Sequence, residues 1–121
     1  MIKTILLTIL IPFILIDNQN TNAKANFKVE GVCGMCKVRI ENSTIKLKGV
    51  KQINWSIQTG VLDVIYNEKK IKLNKIHEFI AGLGHDTDKI KANDKNYSSL
   101  DPCCKYRDPS VVANHTSSLN N

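Results

Sequence analysis

The chain has 121 residues, 17 Lys and Arg against 11 Asp and Glu, and a formal net charge of +6. A hydrophobic fraction of 42% is enough for a core, so a wholly disordered chain is excluded. The length excludes large catalytic folds such as a barrel or a doubly wound sheet. Four cysteines in so short a chain call for metal, thiol redox chemistry or disulfides.

Lys3 precedes an apolar run over residues 5–16, too short to cross a bilayer. A basic start, a short apolar stretch and Ala23-Lys24-Ala25 fit a secretory signal over residues 1–25, cut after Ala25 or, second, after Ala23. An uncleaved membrane anchor is the alternative. A periplasmic or exported location is therefore expected, where unprotected thiols tend to oxidise.

Residues 25–30 alternate as a strand, with Phe27 and Val29 on one face. After Cys36, Ile40, Ser43 or Thr44, and Leu47 recur at helical spacing, and Gly49 closes the helix. Residues 50–57 and 61–66 alternate around Gln58-Thr59-Gly60, which predicts a hairpin. Leu73, Ile76, Phe79, Ile80 and Leu83 form a second helical stripe ending at Gly84, and residues 85–91 suit an edge strand. The order β-α-β-β-α-β predicts an α+β, ferredoxin-like sandwich over residues 26–91, with one antiparallel sheet and two helices on one face. Residues 92–121 turn polar, with Pro102 and Pro109 as breakers. They read as a tail ordered at most around Cys103-Cys104.

Cys33-Gly34-Met35-Cys36 falls where the first strand hands over to the first helix. Two thiolates at that spacing can grip one soft ion from a single loop. The helix N-terminus favours a thiolate at Cys36. Soft thiolates select Cu(I), Zn(II) and similar ions. Two are incomplete for zinc but suffice for Cu(I) or Hg(II), with Ag(I) a further candidate.

With this loop, Val29-Glu30-Gly31 before it, Leu47-Lys48-Gly49-Val50, and Ile80-Ala81-Gly82-Leu83-Gly84-His85-Asp86, the chain resembles the heavy-metal-associated domain family. The resemblance implies soft-metal transport, most often of Cu(I), with Cys33 and Cys36 as the metal ligands. It also implies a partner such as a membrane metal transporter or an acidic metal-binding domain. Gly31-Val32-Cys33 is one residue shorter than the family's usual Gly-Met-x-Cys, and Val32 is the apolar residue left for the methionine's place. The signal-plus-domain layout is also similar to periplasmic mercury-binding proteins, which makes Hg(II) the alternative cargo.

His85 holds a position that lies beside the metal loop in the family, so it is a candidate accessory ligand or a modulator of the site's charge. Cys103 and Cys104 have three readings. They complete or cover the metal site, they pair with Cys33 or Cys36 when no metal is bound, or they form a separate or intermolecular site. The last reading includes a metal-bridged homodimer. Met35 is a candidate soft contact. His77 reads as a residue of a solvated helix face, and His115 as a bystander in the tail.

Lys28, Lys37, Arg39, Lys46, Lys48 and Lys51 make a basic surface suited to an acidic partner. Nucleic acid is not expected, because no aromatic platform is set in that face. A thiol–disulfide redox protein is the competing class, since C-x-x-C at a helix start also suits that chemistry. No catalytic constellation is evident, so no enzyme is expected.

Overall fold

The computed structural model describes residues 20–119; most of the segment read as a signal lies outside them. Three strands, β1 (Asn22–Lys28), β2 (Val50–Trp55) and β3 (Val61–Asn67), form one antiparallel sheet in the order β1-β3-β2. Helices α1 (Gly34–Thr44) and α2 (Leu73–Gly82) complete the ferredoxin-like layout. The hairpin follows from the alternation: Leu62, Val64 and Tyr66 are buried, and their register sets Trp55 opposite Leu62 and Ile53 opposite Val64. A register shift between Val50 and Gln52 brings Val50 inward as well.

Strand β1 starts earlier than the alternation suggests. Asn22 pairs with Asn67 and Ala25 with Val64, so a cut after Ala25 would remove four of the strand's seven residues.

Trp55 is the centre of the core. Its indole N–H reaches the carbonyls of Val29 and Gly60 at 3.1 and 3.2 Å. Gly31 is needed beneath it, because a Cβ there would stand 2.9 Å from the indole ring. Helix α1 is tied to β2 through Glu41, which accepts from the Trp55 backbone N–H at 2.8 Å and from Lys37 at 2.8 Å. Ile40 and Thr44 are buried on the inner face of α1, as their spacing predicts.

Three expectations need correction. The fourth strand is reduced to a single antiparallel bridge, Val29 to Thr87. The turn over residues 85–91 instead spends its groups locally: the Thr87 hydroxyl accepts from Lys89 and Ile90, and Asp86 accepts from Ala92.

His77 is not on a solvated face. It is buried, stacked on Phe27 with ring centroids 3.9 Å apart, and bonded to the Thr87 hydroxyl at 2.7 Å.

The tail is folded well beyond its cysteines. It carries α3 (Asp94–Ser98), a 3-10 turn (Pro102–Cys104) and α4 (Pro109–Leu119). Ala92, Leu100, Cys104 and Tyr106 are buried. Its dock is the turn after α2. Gly84 has a φ of +105°, and a Cβ there would meet the Asn96 carbonyl at 2.7 Å. The Tyr106 hydroxyl donates to the Gly84 carbonyl at 2.7 Å and accepts from the Asp86 N–H at 2.9 Å. Arg107 pairs with Asp86 at 2.8 Å and lies 4.2 Å from the Tyr97 ring centre. Burial, helped by the nearby Asp86 carboxylate and opposed by the Asp86 N–H, holds the Tyr106 phenol well above its usual range.

Candidate metal centre

Packing the tail onto the domain carries Cys103 and Cys104 to the Cys33 loop. Cys33 is the N-cap of α1, in extended backbone, and Cys36 lies one turn on, fully buried. Gly34 has no positive φ and simply opens the helix, so its freedom is not what shapes the loop.

Cys33 Sγ is the hub. It lies 3.4 Å from Cys36 Sγ, 3.3 Å from Cys104 Sγ and 3.8 Å from Cys103 Sγ. Cys103 and Cys104 Sγ are 3.9 Å apart, and Cys103 Sγ is 3.3 Å from Met35 Sδ. The sulfurs of Cys33, Cys103 and Cys104 all lie within 4.8 Å of one another. Five sulfur atoms thus meet at one end of α1.

Arg39, one turn past Met35, holds the tail there. It reaches Cys104 Sγ at 3.4 Å and Asp101 at 2.7 Å. Val32, in the place of the family's methionine, packs against the core without adding a sulfur.

The four thiols differ in acidity, and not as the helix dipole alone suggests. Burial pushes Cys33 up, but bonds from the Cys36 backbone and from the Cys104, Cys36 and Cys103 thiols outweigh it and leave Cys33 below its ordinary value. Cys36 goes the other way, because burial dominates. The capping residue, not Cys36, is therefore the more acidic member of the loop pair. Burial, with the bond to Cys33, pushes Cys103 up to about 11. Burial also pushes Cys104 up to about 12, although Arg39 opposes it. Near neutral pH the tail thiols carry protons that an incoming ion must displace.

His85 is fully buried near this end of the fold. Its Nδ1–H donates to the Glu30 carbonyl at 2.8 Å, and its Nε2 has no partner among the described residues. Burial drives its pKa down to about 4, so the ring is neutral. It does not belong to the sulfur group. His115 lies on α4 and bonds the Val111 carbonyl at 2.8 Å.

Sequence patterns find Cys33, Cys36 and Met35 directly. They do not find Arg39 as the tie to the tail; its only signal is an acidic residue, Asp101, two positions before Cys103.

Residues 26–86 match the heavy-metal-associated domain. The chain belongs to that family. It is 42% identical over 53 residues to a zinc-transporting ATPase of Synechocystis sp., covering 44% of this chain and only 7% of the ATPase. It is 29% identical over 59 residues to the copper chaperone CopZ of Staphylococcus aureus, covering 48% of this chain and 87% of CopZ. A putative copper-ion-binding protein from Bacillus anthracis is structurally similar, with a TM-score of 0.54 and 30% identity, over 57% of this chain and 99% of that one. The chain is a heavy-metal-binding domain related to copper chaperones. The family match stops at residue 86, before Cys103 and Cys104.

Proposed function

We propose that this chain is an exported carrier that binds Cu(I) at the Cys33–Cys36 loop and buffers it or passes it to a membrane metal transporter. One observation carries the reading most: all four cysteines converge on Cys33 at the start of α1. Thiolates in that number favour a soft ion. Relatives named as copper chaperones support copper among the soft ions. Cys103 and Cys104 add ligands to the loop pair. The family match and the relatives named as copper chaperones support carriage as the role.

The partner would approach from the loop, where Met35 and Val38 are exposed beside the site. Of the basic residues around α1, Lys37 and Arg39 are already paired with Glu41 and Asp101. Lys28, Lys46, Lys48 and Lys51 supply the remaining attraction for an acidic surface.

Zinc is a second reading, favoured by the four thiols and by the zinc-transporting ATPase among the relatives. Thiol–disulfide exchange would use the same acidic Cys33.

The test is an anaerobic titration of the reduced chain with Cu(I) against a chromophoric competitor, repeated with Zn(II). Tight Cu(I) binding that Cys33→Ser abolishes and Cys36→Ser weakens, with circular dichroism unchanged, is the expected result. Cu(I) binding left at full affinity in either variant moves the site elsewhere. Tight Zn(II) binding with weak Cu(I) binding turns the assignment to zinc. The export half is read separately, from the N-terminal residue of the protein recovered outside the cytoplasm.

A further inference from the structure

We propose that, with the tail docked, one Cu(I) ion is held by three thiolates, Cys33, Cys103 and Cys104, and that Cys36 stands outside the ligand set. This rests on the soft-metal reading above and names the ligands within it. The loop supplies the anchor, Cys33, and the tail supplies the other two.

Mutual closeness comes first. An ion with three ligands needs three sulfurs that are all near one another. Cys33, Cys103 and Cys104 meet that condition, with sulfur pairs 3.3, 3.8 and 3.9 Å apart. Among the described residues they are the group of potential ligands drawn together in this way. Cys36 Sγ touches Cys33 Sγ at 3.4 Å but is not a member of the group. A four-thiolate ion would need it inside.

The spacing fits three ligands better than two. With a metal–thiolate bond of about 2.3 Å, as for zinc, three sulfurs around an ion in one plane stand about 4.0 Å apart. Two of the three separations are already within about 0.2 Å of that value, and the Cys33–Cys104 pair has only to open by about 0.7 Å. A linear ion between Cys33 and Cys36 needs about 4.6 Å, so that pair would have to open by about 1.2 Å. It is also the stiffer pair. Cys36 is fully buried within α1, and the Cys33 carbonyl accepts from the Lys37 N–H at 3.1 Å, which fixes Cys33 to the same helix. Cys103 and Cys104 lie on a three-residue turn.

Exposure and charge agree with this set. Cys103 is partly open to solvent, whereas Cys36 is completely buried. On binding, three thiols release three protons, and three thiolates with one Cu(I) carry two negative charges. Arg39, 3.4 Å from Cys104 Sγ, offsets one of them. Three thiolates satisfy Cu(I) but leave zinc, which takes four ligands, one short.

X-ray absorption at the copper edge counts the sulfurs on the ion. The sample is the reduced chain, loaded anaerobically with one equivalent of Cu(I) and isolated as a monomer. Three sulfurs are expected. Cys36→Ala should keep all three and weaken binding by no more than about tenfold, as the loss of an outer-shell partner does. Cys103→Ala, at a partly exposed position, should fall to two sulfurs and weaken binding more than Cys36→Ala does. Should Cys36→Ala fail to fold, the parent and Cys103→Ala still decide. Two or four sulfurs in the parent overturn the inference and leave the carrier reading standing. A sulfur lost in Cys36→Ala overturns it too, as does a three-sulfur shell found only in a dimer. No tight Cu(I) binding overturns the carrier reading with it.

Discussion

The two cysteine pairs of this protein are held in opposite ways. Cys33 and Cys36 are placed by local backbone: a strand ends, a helix begins, and one turn separates the thiols. Cys103 and Cys104 lie on a three-residue 3-10 turn with no such support. Their position depends on side chains that grip a different part of the fold: Tyr106 and Arg107 on the turn at Gly84 and Asp86, Leu100 in the core, and Arg39 at Asp101. The loop pair is intrinsic to the domain, and the tail pair is delivered to it. Perturbations of the dock should therefore disturb the second pair first.

Leu100→Ala is the strongest way to separate them. Removing a buried leucine side chain costs about 2–5 kcal/mol. Thermal melting should report that loss. Cu(I) should still bind through Cys33 and Cys36, while the contribution of Cys103 and Cys104 falls away. A variant that melts lower yet keeps both tail thiols protected from alkylation would break the comparison.

Acid should act on the whole domain. His85 has an ordinary pKa of 6.5 in the unfolded chain and about 4 when folded. The unfolded state thus binds the proton more readily, so stability is full above pH 6.5 and is lost as pH falls toward 4. The loss is on the order of 3 kcal/mol over that window. His77, also lowered by burial, shifts stability in the same direction. Denaturant midpoints of the metal-free protein from pH 7 to 4 would show it, and His85→Gln should flatten the profile.

Tyr106→Phe keeps the ring and removes the hydroxyl that bridges Gly84 and Asp86. A cost of about 1 kcal/mol follows from removing the partner of a partly buried N–H. Faster amide exchange at Asp86 and faster alkylation of Cys103 would sharpen the contrast between the pairs. Unchanged exchange would show that the ring alone docks the tail.

Arg39→Gln should be the mildest in stability, about 0.5 kcal/mol for a partly exposed pair. Its clearer effect is on pH dependence. Without the guanidinium, the Cys104 thiol becomes harder to ionise, and Cu(I) uptake should need a higher pH than in the parent.

How much of this is written in the sequence divides along the same line. Period-two runs give β2 and β3, and the i, i+3, i+4 spacing gives α1 and α2, because each buries a regular face. The Cys-x-x-Cys loop is legible for the same reason: its geometry is local. The tail is not, because its buried residues Ala92, Leu100, Cys104 and Tyr106 follow no period and are fixed by long-range polar contacts. His77 hides for a related reason, since its partner Phe27 is 50 positions away and only the fold brings the rings together. The acidity order of the loop thiols is likewise set by burial and by neighbours that arrive from the tail.

The contact between Cys33 and Cys104 joins residues 71 positions apart. Contacts that close so long a stretch of chain form late, after local structure is in place. The complete sulfur cluster thus forms after the loop pair is in place. A chain clipped before Tyr106 keeps Cys103 and Cys104 but lacks the side chains that bring them to the loop thiols. Full occupancy then reports something besides metal supply: that the chain is folded as far as the dock at Arg107.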